Sequence, residues 1–195
     1  VDLGMDNSTY LGYNMYTIYR GRAEGHNMLV FNPKADEEDF ILASYTNLER
    51  FESAPKGAIA VYDNTEGYSK WCSYVKRGFF VSDERRSLTV RDEFKPLVDN
   101  TEVYWNMQTP AQIEIQGNKA ILTINNKKLV VEFLTNAEDF ELIATTATPI
   151  SGLNSSWMAS DADKNKLMLK ATVSGDCYIE AKLYAMDEPA AESGM

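Results

Sequence analysis

The sequence predicts an all-β protein, an antiparallel β-sandwich of about twelve short strands. Three observations carry that expectation. Short apolar runs bounded by Gly, Pro, Asn or Asp recur from about residue 28 onward. Residues 112–134 hold alternating segments separated by Gly-Asn and Asn-Asn, pairs that tolerate the positive φ of tight hairpin turns. No segment of ten or more residues carries a helical apolar stripe.

Taken in order, residues 28–31 form an apolar run stopped by Asn32 and Pro33. Residues 40–45 and 58–62 read as the next strands, and residues 51–55 as a turn of helix at most. Phe79, Phe80 and Val81 form a further strand. In residues 87–91, Leu88 and Val90 alternate with polar neighbours, so one face is wet. Residues 112–116, 120–124 and 129–134 make a three-stranded meander. Residues 166–173 and 177–184 flank Ser174, Gly175 and Asp176 and read as a final hairpin. Residues 151–165 are a long polar loop, and residues 187–195 a frayed tail beyond a sandwich domain spanning 1–186. Residues 1–27 are irregular and rich in Tyr and charge, which fits an exposed functional loop better than a core strand.

The 195 residues suit one large β domain, and 44% apolar residues suffice for a full core. Eleven Tyr against one His fit strands, where Tyr is enriched, and Tyr also lines carbohydrate clefts. The net charge of −10 argues against nucleic acid and against an anionic membrane. It leaves room for an acidic polysaccharide held in a local basic cleft. Cys72 and Cys177, far apart in sequence, read as two free buried thiols rather than a bridge. No apolar run approaches the length of a membrane-spanning helix, and no signal peptide is visible. The chain opens on Val1 directly into a structured-looking motif, so the start reads as a cut through a larger protein.

Few residues point to chemistry. His26, the only histidine, is a metal ligand, an acid/base group or a satisfied polar side chain. Arg20, Arg22 and His26 form either a cationic patch for a carboxylate or sulfate, or ordinary pairs with Glu24 and Asp6. The acidic run 36–39 is either a calcium loop or a solvated turn. Trp71, Trp105 and Trp157 either stack on sugar rings or fill the core. No nucleophile elbow, phosphate-binding glycine loop or dinucleotide fingerprint is present.

A family resemblance emerges from residues 1–30. Asp2-Leu3-Gly4, the Tyr-rich stretch 13–19 and Arg20-Gly21-Arg22-Ala23-Glu24-Gly25-His26-Asn27-Met28-Leu29-Val30 resemble the signature of the heparinase II/III-like polysaccharide lyases. Arg77-Gly78-Phe79-Phe80, residues 85–92 and Val103-Tyr104-Trp105-Asn106-Met107-Gln108-Thr109 resemble later strands of that family. The resemblance covers most of residues 1–150. It implies the C-terminal, supersandwich-like β-sandwich of a two-part periplasmic or secreted enzyme whose other part is an N-terminal α/α toroid. It also implies β-elimination on a uronic-acid polysaccharide, heparan-sulfate-like or alginate-like. Matched positions suggest Asp2 and His26 as two of three zinc ligands. The family takes its catalytic Tyr from the toroid; in this chain the loop tyrosines Tyr13, Tyr16 and Tyr19 are the candidates for proton transfer, and Arg20, Arg22, Glu24, Asn27 and Trp105 the candidates for substrate contact. This chain departs from the pattern at Met28, where Thr is usual, and at Gln108, where His is common. The segment expected to supply the remaining zinc His and the catalytic His would precede residue 1. The competing expectation is a non-catalytic carbohydrate-binding or structural sandwich.

Overall fold

The computed structural model describes residues 1–4, 17–82, 84–154, 158 and 161–186. In chain order the strands are β1 (Leu29–Phe31), β2 (Asn47–Ala54), β3 (Gly57–Asp63), β4 (Cys72–Ser82), β5 (Ser87–Pro96) and β6 (Thr101–Thr109). They continue as β7 (Gln112–Gln116), β8 (Lys119–Ile124), β9 (Lys127–Thr135), β10 (Phe140–Thr146), β11 (Asn165–Val173) and β12 (Cys177–Ala185). A one-turn helix, α1 (Thr65–Tyr68), and two 3-10 turns, Tyr19–Gly21 and Ala23–Gly25, complete the described elements named here.

Four strands form a small sheet in the order β1-β6-β11-β10, and eight form a large one in the order β2-β3-β4-β5-β12-β9-β8-β7. All their pairings are antiparallel. The all-β antiparallel sandwich expected from the sequence is therefore the observed architecture. The core lies between the sheets, where Trp105, Leu167 and Leu169 meet Phe94, Phe133 and Ile179. The Trp105 and Phe133 rings meet edge to face at 5.2 Å. Burying each such side chain contributes about 1.5–3 kcal/mol.

Local chemistry explains the meander. Asn125 and Asn126 both adopt positive φ, 50° and 61°, which matches the right-handed twist of β8 and β9. The small sheet is unusual in being covered on both faces. Val30, Tyr104 and Met168 on its outer face pack under Ala23, so β6 and β11 are buried almost throughout.

Several expectations are corrected. Residues 166–173 and 177–184 do not pair as a hairpin: β11 lies in the small sheet and β12 in the large one. Residues 174–176, with Gly175 at φ +70°, arch from one layer to the other. Residues 51–55 continue strand β2 instead of turning helical. Residues 40–45 form no strand; Phe40 anchors a loop by packing its ring at 5.1 Å against Tyr68 of α1. Residues 18–25 are not an exposed loop, because Ile18, Tyr19, Arg22, Ala23 and Glu24 are each at most 3% exposed. The two thiols are free and buried as expected. The tail 187–195 lies outside the described residues.

Candidate functional site

The two 3-10 turns carry the chain across the outer face of the small sheet and deliver His26 to its edge. Gly25 makes that path possible. A Cβ there would lie 2.3 Å from the carbonyl oxygen of Tyr19, so no larger residue fits without moving the backbone. His26 then sits with one ring nitrogen, Nε2, 2.9 Å from the Arg20 carbonyl and the other, Nδ1, 2.7 Å from Asp2 Oδ2. The Arg20 carbonyl can only accept, so Nε2 donates and Nδ1 is the nitrogen aimed at the carboxylate. Both side chains reach solvent, at 28% and 59% exposure.

Asp2 is held in place from several sides. Its Oδ1 accepts from the Gly4 N–H at 2.7 Å. Asn27 Nδ2 donates to the Val1 carbonyl, and Asn27 Oδ1 accepts from the Gln108 N–H at 2.7 Å. Asn27 thus ties residue 1 to strand β6. Partial burial raises the Asp2 pKa, but the bonds from His26 and Gly4 outweigh it and hold the carboxyl below its ordinary range.

Behind this edge stands a pair that sequence reading missed. Arg77 of β4 grips Asp92 of β5 in two parallel bonds of 2.7 and 2.9 Å, and donates to the Asn27 carbonyl at 2.5 Å. Asp92 is 1% exposed. The two residues are direct cross-strand partners, so the signal was readable only with the β4–β5 register in hand. Arg77 joins the large sheet to the His26 edge.

The other expected site residues fall in different places. Tyr19 is 3% exposed, and its hydroxyl lies 3.2 Å from Lys166 Nζ. Burial pushes its pKa well above the ordinary value, the wrong direction for a proton-transfer group. Tyr13 and Tyr16 lie outside the described residues, as does Trp157. Arg20 forks onto Asp161, with Nε at 3.1 Å and Nη2 at 2.5 Å. Arg22 is interior and donates to the carbonyls of Lys34 and Glu37 at 2.7 and 2.9 Å while pairing with Glu24 at 2.8 Å. Glu24 accepts from the Ile150 and Ser151 N–H groups and from Ser151 Oγ. Asp39, the last residue of the acidic run, is 2% exposed and accepts from the Ala23 and Glu24 N–H groups. Trp105 is 4% exposed and faces the core, so it offers no platform for a sugar. Arg22, Glu24 and Trp105 are therefore corrected from substrate contacts to parts of the interior, because their polar or apolar surfaces are already engaged there.

Zinc asks for three or four N, O or S donors. His26 and Asp2 have the right chemistry, and the backbone bond at Nε2 is the orienting contact typical of a metal-bound imidazole. Among the described residues no group of three His, Cys, Asp or Glu side chains comes together. The described donors are thus two short of a four-coordinate site and one short of an open one.

No protein-family model matches the sequence, and no curated protein matches it. Solved structures do. The chain is similar to the heparan sulfate lyase HepC from Pedobacter heparinus, with a TM-score of 0.66 and 12% identity over 98% of this chain. A mutant of that lyase matches with a TM-score of 0.65 and 13% identity over 98% of this chain and 28% of that one. A heparinase III matches with a TM-score of 0.62 and 12% identity over 89% of this chain and 25% of that one. At such identities the likeness is one of fold, and the chain spans about 28% of the length of the HepC lyase.

Proposed function

We propose that this chain is the β-sandwich part of a polysaccharide lyase that cleaves a uronic-acid polymer by β-elimination. The supporting observation is the His26–Asp2 contact of 2.7 Å, held at an open sheet edge on a fold shared with heparan sulfate lyases. In this reaction a base removes the C5 proton of the uronate, and the C4–O bond breaks as a C4=C5 double bond forms. An acid protonates the leaving oxygen, and a cation or hydrogen-bond donor neutralises the carboxylate. Those groups must converge on one sugar. The described residues present one imidazole at the edge, so the remaining groups come from a companion α/α domain and from segments outside the described set. In the same reading, Asp2 and His26 hold a zinc ion with a third donor from outside that set. Its role is to brace the edge, and no step of the elimination is routed through it. An acidic polysaccharide substrate places such a protein in the periplasm or outside the cell.

The second reading, a non-catalytic glycan-binding or structural sandwich, draws on Tyr19 and Trp105 being interior. One paired assay separates them. The 195-residue chain and a longer protein containing it are incubated with a panel of uronate polymers, and unsaturated product is followed by absorbance. The lyase reading expects turnover by the longer protein, none by the chain alone, and a large loss with His26→Ala. Absence of turnover by the longer protein on every uronate favours the second reading.

A further inference from the structure

The outer face of the large sheet holds a glycine that neither backbone nor packing requires. Gly78 lies mid-strand in β4, in register between Val61 of β3 and Arg91 of β5. Its φ is not among the positive ones. A Cβ built on it would meet only the Arg91 carbonyl oxygen, at 3.8 Å, an ordinary contact. Glycine in a strand interior lowers stability relative to alanine. Where conformation does not call for it, such a glycine marks the close approach of another group.

The surroundings indicate what approaches. Gly78 lines an open groove of about 530 Å³ running over β3, β4, β5 and β12. Ile59 and Val61 give it an apolar floor, and Phe80, two residues along the same face, is 48% exposed. The rim carries charges of both signs, Lys76, Arg91 and Lys182 with Glu93 and Glu180. Arg91 bonds Glu93 at 2.8 Å and Glu180 at 3.2 Å, with its guanidinium 3.9 Å above the Tyr178 ring. Lys76 at the same rim bonds Glu49.

We propose that this groove is a subsite for a neutral sugar ring of an oligosaccharide, distinct from the His26 edge. A pyranose has an apolar C–H face that stacks on an aromatic ring such as Phe80 and fits over a residue without a side chain. Its hydroxyls both donate and accept, so they bond to Arg91 and Glu180 without separating that pair. A uronate would bring its carboxylate next to Glu93 and Glu180, beside an Arg91 that both of them already hold. This inference rests on the reading of the chain as a glycan-handling protein, and extends it to a second site.

The test is a titration of the 195-residue chain, followed by NMR chemical shifts and calorimetry, with neutral hexasaccharides (cello-, xylo- and chito-oligomers) and with uronate hexamers. At least one neutral oligomer is expected to bind and to shift the resonances of Gly78, Phe80 and Arg91. Gly78→Ala adds a methyl to the groove at an ordinary contact distance, Gly78→Val adds more bulk there, and Phe80→Ala removes the platform. Gly78→Val and Phe80→Ala are each expected to weaken binding by at least about tenfold. The proposal fails if no neutral oligomer binds, if both variants bind as the parent does, or if uronate hexamers shift this face more strongly than neutral ones. Product formation on uronates in the assay above reports on the lyase reading alone, so either idea can fall while the other stands.

Discussion

His26 Nδ1 and Asp2 Oδ2 lie 2.7 Å apart across 24 residues of sequence, with the His26 ring held from behind by the Arg20 carbonyl. That contact defines the exposed edge of the small sheet. Because the Asp2 carboxyl is held below its ordinary pKa, its contribution to stability is present above the unfolded-state value and is lost as pH falls through the folded one. Urea denaturation of Asp2→Asn and the parent between pH 7 and pH 3 should show the parent losing its advantage only at the acid end. A difference that persists unchanged to the lowest pH would show that the bond does not depend on the charge.

Arg77 and Asp92 should behave as a buried pair whose members cannot be removed singly. Asp92→Ala leaves a guanidinium without its fork and is expected to cost about 3–5 kcal/mol. Replacing both residues together with apolar side chains of similar volume should recover much of that loss. Chemical denaturation of the single and double variants gives the comparison. The Asn27 carbonyl also loses its partner in the Arg77 variant, so the His26 resonances should move there too.

Lys166 is 0% exposed, with Tyr19 Oη at 3.2 Å and the Thr148 carbonyl at 2.5 Å as its partners. Burial lowers its pKa from the ordinary 10.5 to about 8, against a partly compensating pull from Glu24. Below pH 8 both states are protonated, and the folded chain bears the full penalty of about 3 kcal/mol. Above it the folded chain releases the proton while the unfolded chain keeps it, so stability rises with pH. Denaturation between pH 7 and 9 should show that rise in the parent and not in Lys166→Met. Cys72, pushed up to about 12 by burial, acts in the opposite sense above its ordinary 9.0, which sets the upper end of the comparison.

Gly25→Ala should destabilise the fold by about 1–3 kcal/mol, because the added methyl meets the Tyr19 carbonyl and the backbone has to move. The movement should propagate to His26, the next residue. Thermal melts measure the cost, and loss of the nuclear Overhauser contact between His26 and Asp2 would show the displacement. An unchanged melt would mean that the two 3-10 turns open without strain.

The sequence by itself determined the β class and the features that act over a few residues. The period of two in residues 112–134 and the Asn125-Asn126 turn specify β7, β8 and β9 without reference to the rest of the chain. Asp2 and His26 were paired through a family resemblance; nothing in their spacing brings them together. Tertiary structure alone decided three matters. Residues 174–176 cross between layers, since a turn flanked by alternating strands does not reveal whether they share a sheet. The charged segment 18–25 became interior, because Arg22 finds backbone carbonyls at 34 and 37 and Glu24 finds the N–H groups of 150 and 151. Arg77 met Asp92 because the β4–β5 register aligned them. Alternation and turn chemistry are local and legible in one strand of text. Partners for buried charge are chosen by long-range packing, where desolvation makes an unpaired group too costly to leave alone.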